Sequence, residues 1–138
     1  MADFVADIVV DLDAISTLAE QANAFLAQSG VDPRAAHHVA LVIDELLSNV
    51  ASHGGAARTP ASVRLTVWPD RVQAQVTDYG TKFDPRTAPN IDESAAVGDR
   101  RIGGLGLLLT HRVTDGLDYE WDGDRNRTTF WIRRIPAG

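Results

Sequence analysis

The sequence predicts an α+β fold, because segments with helical and with strand periodicity both occur along the chain. Three segments repeat apolar residues at helical spacing, and five short segments are rich in β-branched or alternating apolar residues. With 138 residues, 44% of them hydrophobic, the chain can bury one core and is too short for two ordinary domains. We therefore expect a single domain spanning residues 1–138.

Composition excludes several functional classes. The net charge is −6 and no dense run of Lys and Arg occurs, so we expect no direct nucleic-acid partner and no anionic-membrane surface. The absence of Cys removes disulfides and Cys-ligated zinc and is typical of a reducing compartment. The N-terminus lacks the pattern of a signal peptide, and no apolar run is long enough to cross a bilayer. These features predict a cytoplasmic protein.

The first third of the chain reads as a strand followed by two helices. Residues 4–10 are apolar and β-branched, which favours a strand. Asp11 or Asp13 can cap the first helix, and Gly30 is placed to end it. The second helix is predicted from Asp32 as N-cap to about residue 53, with Pro33 in the first helical position and two glycines just after the end.

The remaining segments alternate between strand and loop patterns. Residues 63–67 and 72–76 alternate apolar and polar residues around a turn, which predicts an antiparallel hairpin ending at Asp78. Residues 84–102 lack apolar periodicity, which predicts a long loop of the kind that often forms a lid. A third helix opens near Leu105, and residues 117–121 and 128–132 read as the two strands of a second hairpin.

The second helix bears the pattern Glu45-x-x-x-Asn49, which puts an acid and a carboxamide on one helical face. Asn supplies an oxygen ligand that suits magnesium, and Glu can accept a proton from an attacking hydroxyl or orient it. Both lie away from the apolar stripe of the helix and are expected to face a cleft. For an isolated pair, two solvated polar residues on an amphipathic helix would be the better interpretation.

Two later segments change that assessment, namely Asp78-x-Gly80-x-x-Phe83-Asp84 and the glycine-rich stretch 103–107. Together with Glu45-x-x-x-Asn49-x-x-x-His53, and in this order, they resemble the GHKL superfamily of ATPases and kinases, within it the anti-sigma factor serine-protein kinases of the RsbW type. The resemblance implies a two-layer α/β sandwich of the Bergerat type. Its mixed, mostly antiparallel sheet would be covered on one face by about three helices, with a lid loop at about 84–102.

The resemblance also implies ATP and Mg²⁺ as cofactors and gives particular residues roles in binding them. Asn49 would be the magnesium ligand and Glu45 the catalytic residue. Asp78 would accept a hydrogen bond from the exocyclic amine of adenine, and Gly80 would let the backbone approach the base. Glycine-loop amides at the start of a helix would meet phosphate oxygens. The further expected ATP-binding residues are His53, Phe83, Gly103, Gly104, Leu105, Gly106, Leu107 and Thr128.

Some of these positions keep a second interpretation. Phe83 can close the core, His53 can cap its own helix, and Thr128 can be an ordinary strand residue. The chain also departs from the family pattern at Lys82 and Arg127, where the family often has glycine.

The function implied is an ATP-dependent protein-serine kinase that sequesters a sigma factor and phosphorylates a STAS-domain anti-anti-sigma factor. A homodimer is a further expectation from the resemblance. Two alternatives stay open: a nucleotide-responsive binding module of the same fold without kinase activity, and an adaptor that has kept only the scaffold.

Overall fold

Five strands form one sheet in the order β1-β2-β3-β5-β4. The computed structural model describes residues 2–53, 59–87 and 104–136. Its strands are β1 (Ala2–Val9), β2 (Pro60–Val67), β3 (Arg71–Asp78), β4 (Gly116–Trp121) and β5 (Asn126–Arg133), and its helices are α1 (Leu12–Gln28), α2 (Pro33–His53) and α3 (Gly104–Val113). The predicted α+β fold is confirmed. All four pairs of neighbouring described strands are antiparallel, so the expected mixed sheet has no parallel pair in this part of the chain.

Local capping sets the ends of the first two helices. Asp11 rather than Asp13 caps α1, since its Oδ1 accepts a hydrogen bond from the Ala14 N–H at 2.7 Å. Gly30 follows the helix with a φ of +78°, in the left-handed region that glycine adopts at little cost. Asp32 Oδ2 accepts from the Ala35 N–H at 3.1 Å, and α2 begins at Pro33 as predicted.

The core lies between the sheet and the helices α1 and α2. Alternate residues of β2, β3 and β5 are buried, which is the period-2 pattern of strands with one covered face. Burying each large side chain of this kind contributes about 1.5–3 kcal/mol. The largest fully buried side chains are Phe130, Leu18, Leu26, Ile43, Leu47, Leu65, Ile132, Val39, Val42, Val63, Val72 and Val76.

The row of buried side chains on the covered face of the sheet continues to the end of β3. Val76 lies opposite Val63 on β2 and opposite Thr128 on β5. Asp78, the last residue of β3, lies opposite Asn126, the first residue of β5. The second hairpin was predicted to resume at Thr128, and the strand in fact starts two residues earlier. This extension puts a second polar side chain beside Asp78.

Two predictions fall partly outside the described residues. Of the expected lid at 84–102, only residues 84–87 are described, as a turn in which the Thr87 N–H donates to the Asp84 carbonyl at 3.2 Å. Residues 88–102 lie outside the description. None of the helices in the described ranges combines the length and the apolar character needed to cross a membrane.

Candidate functional site

A pocket opens between α2 and the adjoining ends of β3 and β5. The empty space in the pocket and at its open mouth is about 410 Å³. Apolar and polar residues contribute to its wall in equal number. The lining residues are Leu46, Asn49, Val50, Val76, Asp78, Thr81, Phe83, Pro85, Asn126 and Thr128.

Asp78 presents a carboxylate to this pocket while being only 7% exposed. Burial raises the pKa of Asp78, and hydrogen bonds from Asn126 and from the Gly80 N–H partly offset that rise. Both donors meet the same oxygen: Oδ1 accepts from Asn126 Nδ2 at 3.0 Å and from the Gly80 N–H at 2.9 Å. The second oxygen, Oδ2, takes part in neither bond.

Asn126 was not predicted as a site residue. It is 3% exposed, and its side chain joins three parts of the site. Besides the bond to Asp78, Nδ2 donates to the Thr81 carbonyl at 3.0 Å. Its Oδ1 accepts from the Phe83 N–H at 3.0 Å and from the Tyr119 hydroxyl. The one signal in the sequence would have been strand register, because extending the last strand by two residues puts Asn126 opposite Asp78.

Asn49 lies in the pocket wall on α2 and is 7% exposed. Its Nδ2 is buried and has no hydrogen-bond partner among the residues that the structure describes. A buried amide hydrogen without an acceptor is costly, so this atom marks a place where a ligand group can compensate.

Glu45 lies one helical turn before Asn49 and is half-buried. It is not part of the pocket lining. Burial raises the pKa of Glu45, and the negative charge of neighbouring Asp44 raises it further. The Glu45 carboxylate therefore releases its proton at a higher pH than an ordinary glutamate does.

Three more predicted residues lie close to Asp78. Gly80 contributes its N–H to the carboxylate. Phe83 lines the pocket with 37% of its surface exposed and is not part of the buried core, so the alternative of a core-closing residue is not supported. Thr128 lines the pocket and is 5% exposed.

The remaining predicted residues are described only in part. Gly103 lies outside the described residues. Gly104, Leu105, Gly106 and Leu107 form the start of α3, so the glycine-rich stretch does open a helix, but their side chains are outside the description, as is that of His53 at the end of α2. In the ranges 2–53, 59–87 and 104–136, no group of three or more His, Asp or Glu residues forms a metal-binding cluster.

The turn after β3 is fastened to neighbouring elements at the pocket mouth. His111 on α3 hydrogen-bonds through Nε2 to the carbonyl of Pro85, at 2.8 Å. Arg86 pairs with Asp84 at 2.9 Å, and its guanidinium lies 5.8 Å from the centre of the Tyr119 ring. These contacts hold Pro85 in the pocket wall.

Comparison with known proteins gives one family and a set of relatives. A model of the histidine kinase-like ATPase domain matches residues 8–132. The serine-protein kinase RsbW of Listeria monocytogenes is 26% identical over 102 residues, which cover 70% of this chain and 65% of the relative. The chain thus matches slightly less than two thirds of the length of this relative.

Two solved structures share the fold. The RsbU and RsbW domains of a Mycobacterium tuberculosis protein match with a TM-score of 0.70 and 17% identity, over 99% of this chain and 34% of that chain. The SiaB-SiaC complex of Pseudomonas aeruginosa matches with a TM-score of 0.64 and 16% identity, over 94% of this chain and 89% of that chain.

Proposed function

Because the chain belongs to the family of histidine kinase-like ATPase domains, we propose that it binds ATP in the pocket described above and transfers phosphate to a serine of a partner protein. The observation on which this depends most is the buried Asp78 carboxylate at the end of β3, which lines the same pocket as Asn49.

In this proposal the adenine ring enters between the aliphatic wall and the strand ends. Leu46, Val50 and Val76 supply apolar surface for the faces of the base. Oδ2 of Asp78 accepts a hydrogen bond from the exocyclic amine, and an ionised acceptor makes this bond stronger than a neutral one. A guanine in the same position presents a carbonyl oxygen instead, which a carboxylate repels. The pocket would therefore prefer adenine.

Magnesium is expected to bind along with the phosphates of ATP, and Asn49 would be one of its ligands. The residue fits this role, since its carboxamide is buried in the pocket wall with Nδ2 unsatisfied by any described group. The carboxamide oxygen, and not Nδ2, would be the ligand atom, because magnesium takes oxygen ligands. Magnesium neutralises negative charge on the phosphates when it is bound.

Glu45 would act on the serine of the partner. Its half-buried carboxylate, with a raised pKa, is closer to the basicity that proton transfer near neutral pH requires. The serine oxygen forms a bond to the terminal phosphorus, the bond to the leaving ADP oxygen breaks, and the hydroxyl proton passes to Glu45. Glu45 does not line the pocket, so in this proposal it acts on the serine of the docking protein and not on the adenine ring.

For the partners we propose a STAS-domain anti-anti-sigma factor as the phosphorylated substrate and a sigma factor as the sequestered protein. Support comes from the likeness to the serine-protein kinase RsbW and from the sequence motifs. A homodimer belongs to the same proposal.

The test is phosphate transfer from labelled ATP to a STAS-domain protein. Glu45→Ala and Asn49→Ala should each reduce the transfer rate by about a hundredfold or more. Glu20→Ala and Asn23→Ala are matched controls, because both side chains are exposed on α1, and they should transfer at the unmutated rate. Unchanged transfer in both site variants would reject the assigned roles.

A nucleotide-responsive binding module without kinase activity is the second candidate, favoured by Lys82 and Arg127, which stand where the family often has glycine. Arg127 is engaged with Glu120 and Asp122, at 3.4 and 3.5 Å. This candidate predicts ATP binding and ATP-dependent partner affinity, with no labelled serine in any partner.

A further inference from the structure

We infer that Asn126 is a positioning residue for nucleobase recognition: it holds Asp78 with one oxygen engaged and the other directed to the ligand. The inference rests on the proposed ATP site. It adds a residue that the sequence motifs do not contain, and it acts through Asp78 rather than on the nucleotide itself.

The hydrogen bonds of Asn126 allow only one orientation of its carboxamide. The Phe83 N–H can only donate, so the group facing it must be the oxygen. The Thr81 carbonyl can only accept, so the group facing it must be the NH₂. With the NH₂ fixed on that side, its second hydrogen points to Asp78 Oδ1 at 3.0 Å. All four hydrogen-bonding positions of the side chain are then used.

This arrangement has a consequence for the carboxylate. Two donors, Asn126 Nδ2 and the Gly80 N–H, converge on Oδ1 and fix the rotation of the carboxyl group. They also favour the ionised form against the cost of burial. Without the Asn126 donor, the buried carboxyl would turn more freely and would hold its proton to a higher pH. Both changes weaken an acceptor for the adenine amine.

Other titratable groups lie on the elements that form or adjoin the site, and any pH experiment has to take them into account. They are Glu45 on α2, Tyr119 on β4, and Asp84 with Arg86 on the turn after β3. None of them donates to Asp78 Oδ1. Substitution of position 126 leaves these groups in place. A pH dependence of ATP binding that appears only in the position-126 variants can therefore be assigned to the lost donor.

Two substitutions separate the donor from the bulk of the side chain. Asn126→Leu has a similar size and offers no donor, so it should bind ATP about tenfold or more weakly at every pH. Asn126→Asp has the same shape and a donor only while it is protonated. At 3.0 Å from Asp78 the two carboxyls should share one proton, because both cannot ionise easily at that distance.

The pH profile of Asn126→Asp is the decisive signature. ATP affinity, measured from about pH 5 to about pH 9, should stay above that of Asn126→Leu while the shared proton is present, although its single hydrogen cannot serve both Asp78 and the Thr81 carbonyl. It should fall by about tenfold or more once that proton is lost and the carboxylates repel each other. Asn23→Asp, the same chemical change on the exposed face of α1, should show no such fall.

A packing role alone would give a different result. If Asn126→Asp binds ATP with a constant deficit at all pH values, or if both position-126 variants bind like the unmutated protein, the inference is overturned while the ATP site stands. Absence of ATP binding by the unmutated protein would overturn the proposed function and this inference with it.

An experiment on the unmutated protein decides the matter if the variants do not fold. The side-chain amide resonances of Asn126 in ¹⁵N NMR should move together with the Asp78 carboxyl carbon on pH titration and again on addition of ATP. Amide resonances that ignore both titrations would contradict the inference.

Discussion

Asp78 is the residue on which the proposed site depends most, although burial of its ionised carboxylate lowers the stability of the fold. Asp78 is buried at the end of β3, where the protein interior raises its pKa. A carboxyl whose folded pKa lies above its unfolded value stabilises the fold below the unfolded pKa, and that contribution is lost as the pH rises through the folded pKa. Near neutral pH the ionised Asp78 thus lowers stability, a cost that ligand binding can explain.

The first prediction concerns Asp78→Asn. The carboxamide oxygen can still accept from Gly80 and Asn126, but the buried charge is gone. We expect the free energy of unfolding at neutral pH to rise by about 1 kcal/mol, with the gain vanishing in acid, and ATP affinity to fall about tenfold or more. Urea denaturation across pH and calorimetric ATP titration measure the two effects. A variant that is less stable yet binds ATP normally would contradict this account of the site.

The second prediction concerns Glu45→Gln, which keeps the shape of the side chain and removes its basicity. Phosphate transfer should fall by about a hundredfold or more. ATP affinity should change by less than about threefold, because Glu45 does not line the pocket. In the unmutated protein the transfer rate should rise with pH through a pKa above the ordinary glutamate value of 4.5. The measurements are single-turnover transfer rates and ATP binding. A Gln variant with the same pH profile would exclude Glu45 as the base.

Sequence patterns located some of the site residues and missed another for a physical reason. Asn49, Asp78, Phe83 and Thr128 were named from motifs, and all four line one pocket. Asn126 could not be named in this way. Its contacts arise from strand pairing and from a turn 43 residues earlier, so no local pattern reports them.

Among the elements, α2 determines where the site forms. One face of this helix packs into the core through Val39, Ile43 and Leu47, all completely buried, and its polar edge reaches the pocket at Asn49. Capping fixes its start. Burial alone would raise the pKa of Asp32, but hydrogen bonds from the Ile135 and Ala35 N–H groups outweigh that effect and lower it.

The third prediction concerns Asp32→Ala. A lowered folded pKa means that the carboxylate stabilises the fold above its unfolded pKa, and that this contribution is lost as the pH falls through the folded value. Loss of the cap should lower the free energy of unfolding at neutral pH by about 1 kcal/mol, and the deficit should shrink in acid. Urea denaturation measures it, with exposed Asp13→Ala in α1 as control. Equal deficits in both variants would show that the cap contributes nothing specific.

The helices and strands were easier to predict than the pairing between strands. Capping residues and a 3.6-residue period gave α2 its limits, and period-2 alternation gave the hairpin of β2 and β3. The ends of the second hairpin were harder. Asn126 and Arg127 are polar and follow a turn, so nothing in their hydrophobicity indicates a strand, and it is pairing with β3 that extends β5 to them.

At the scale of the molecule, the pocket follows from the layer arrangement. The sheet is covered by helices, and the buried row of side chains ends at Asp78 and Asn126, where α2 no longer fills the space completely. The family of the chain and its fold were predicted from three short motifs and are confirmed by the family match and by solved structures of the same fold. The lid at 84–102 stays a prediction, since most of it lies outside the described residues.

Titration calorimetry of the unmutated protein with ATP and GTP, each with and without magnesium, tests the central claim most directly. We expect ATP to bind one to a chain, more tightly with magnesium, and about tenfold or more tightly than GTP, because a carboxylate accepts from adenine and repels the guanine carbonyl. Equal affinity for the two nucleotides, or no binding of either, would contradict the claim that Asp78 selects adenine in this pocket.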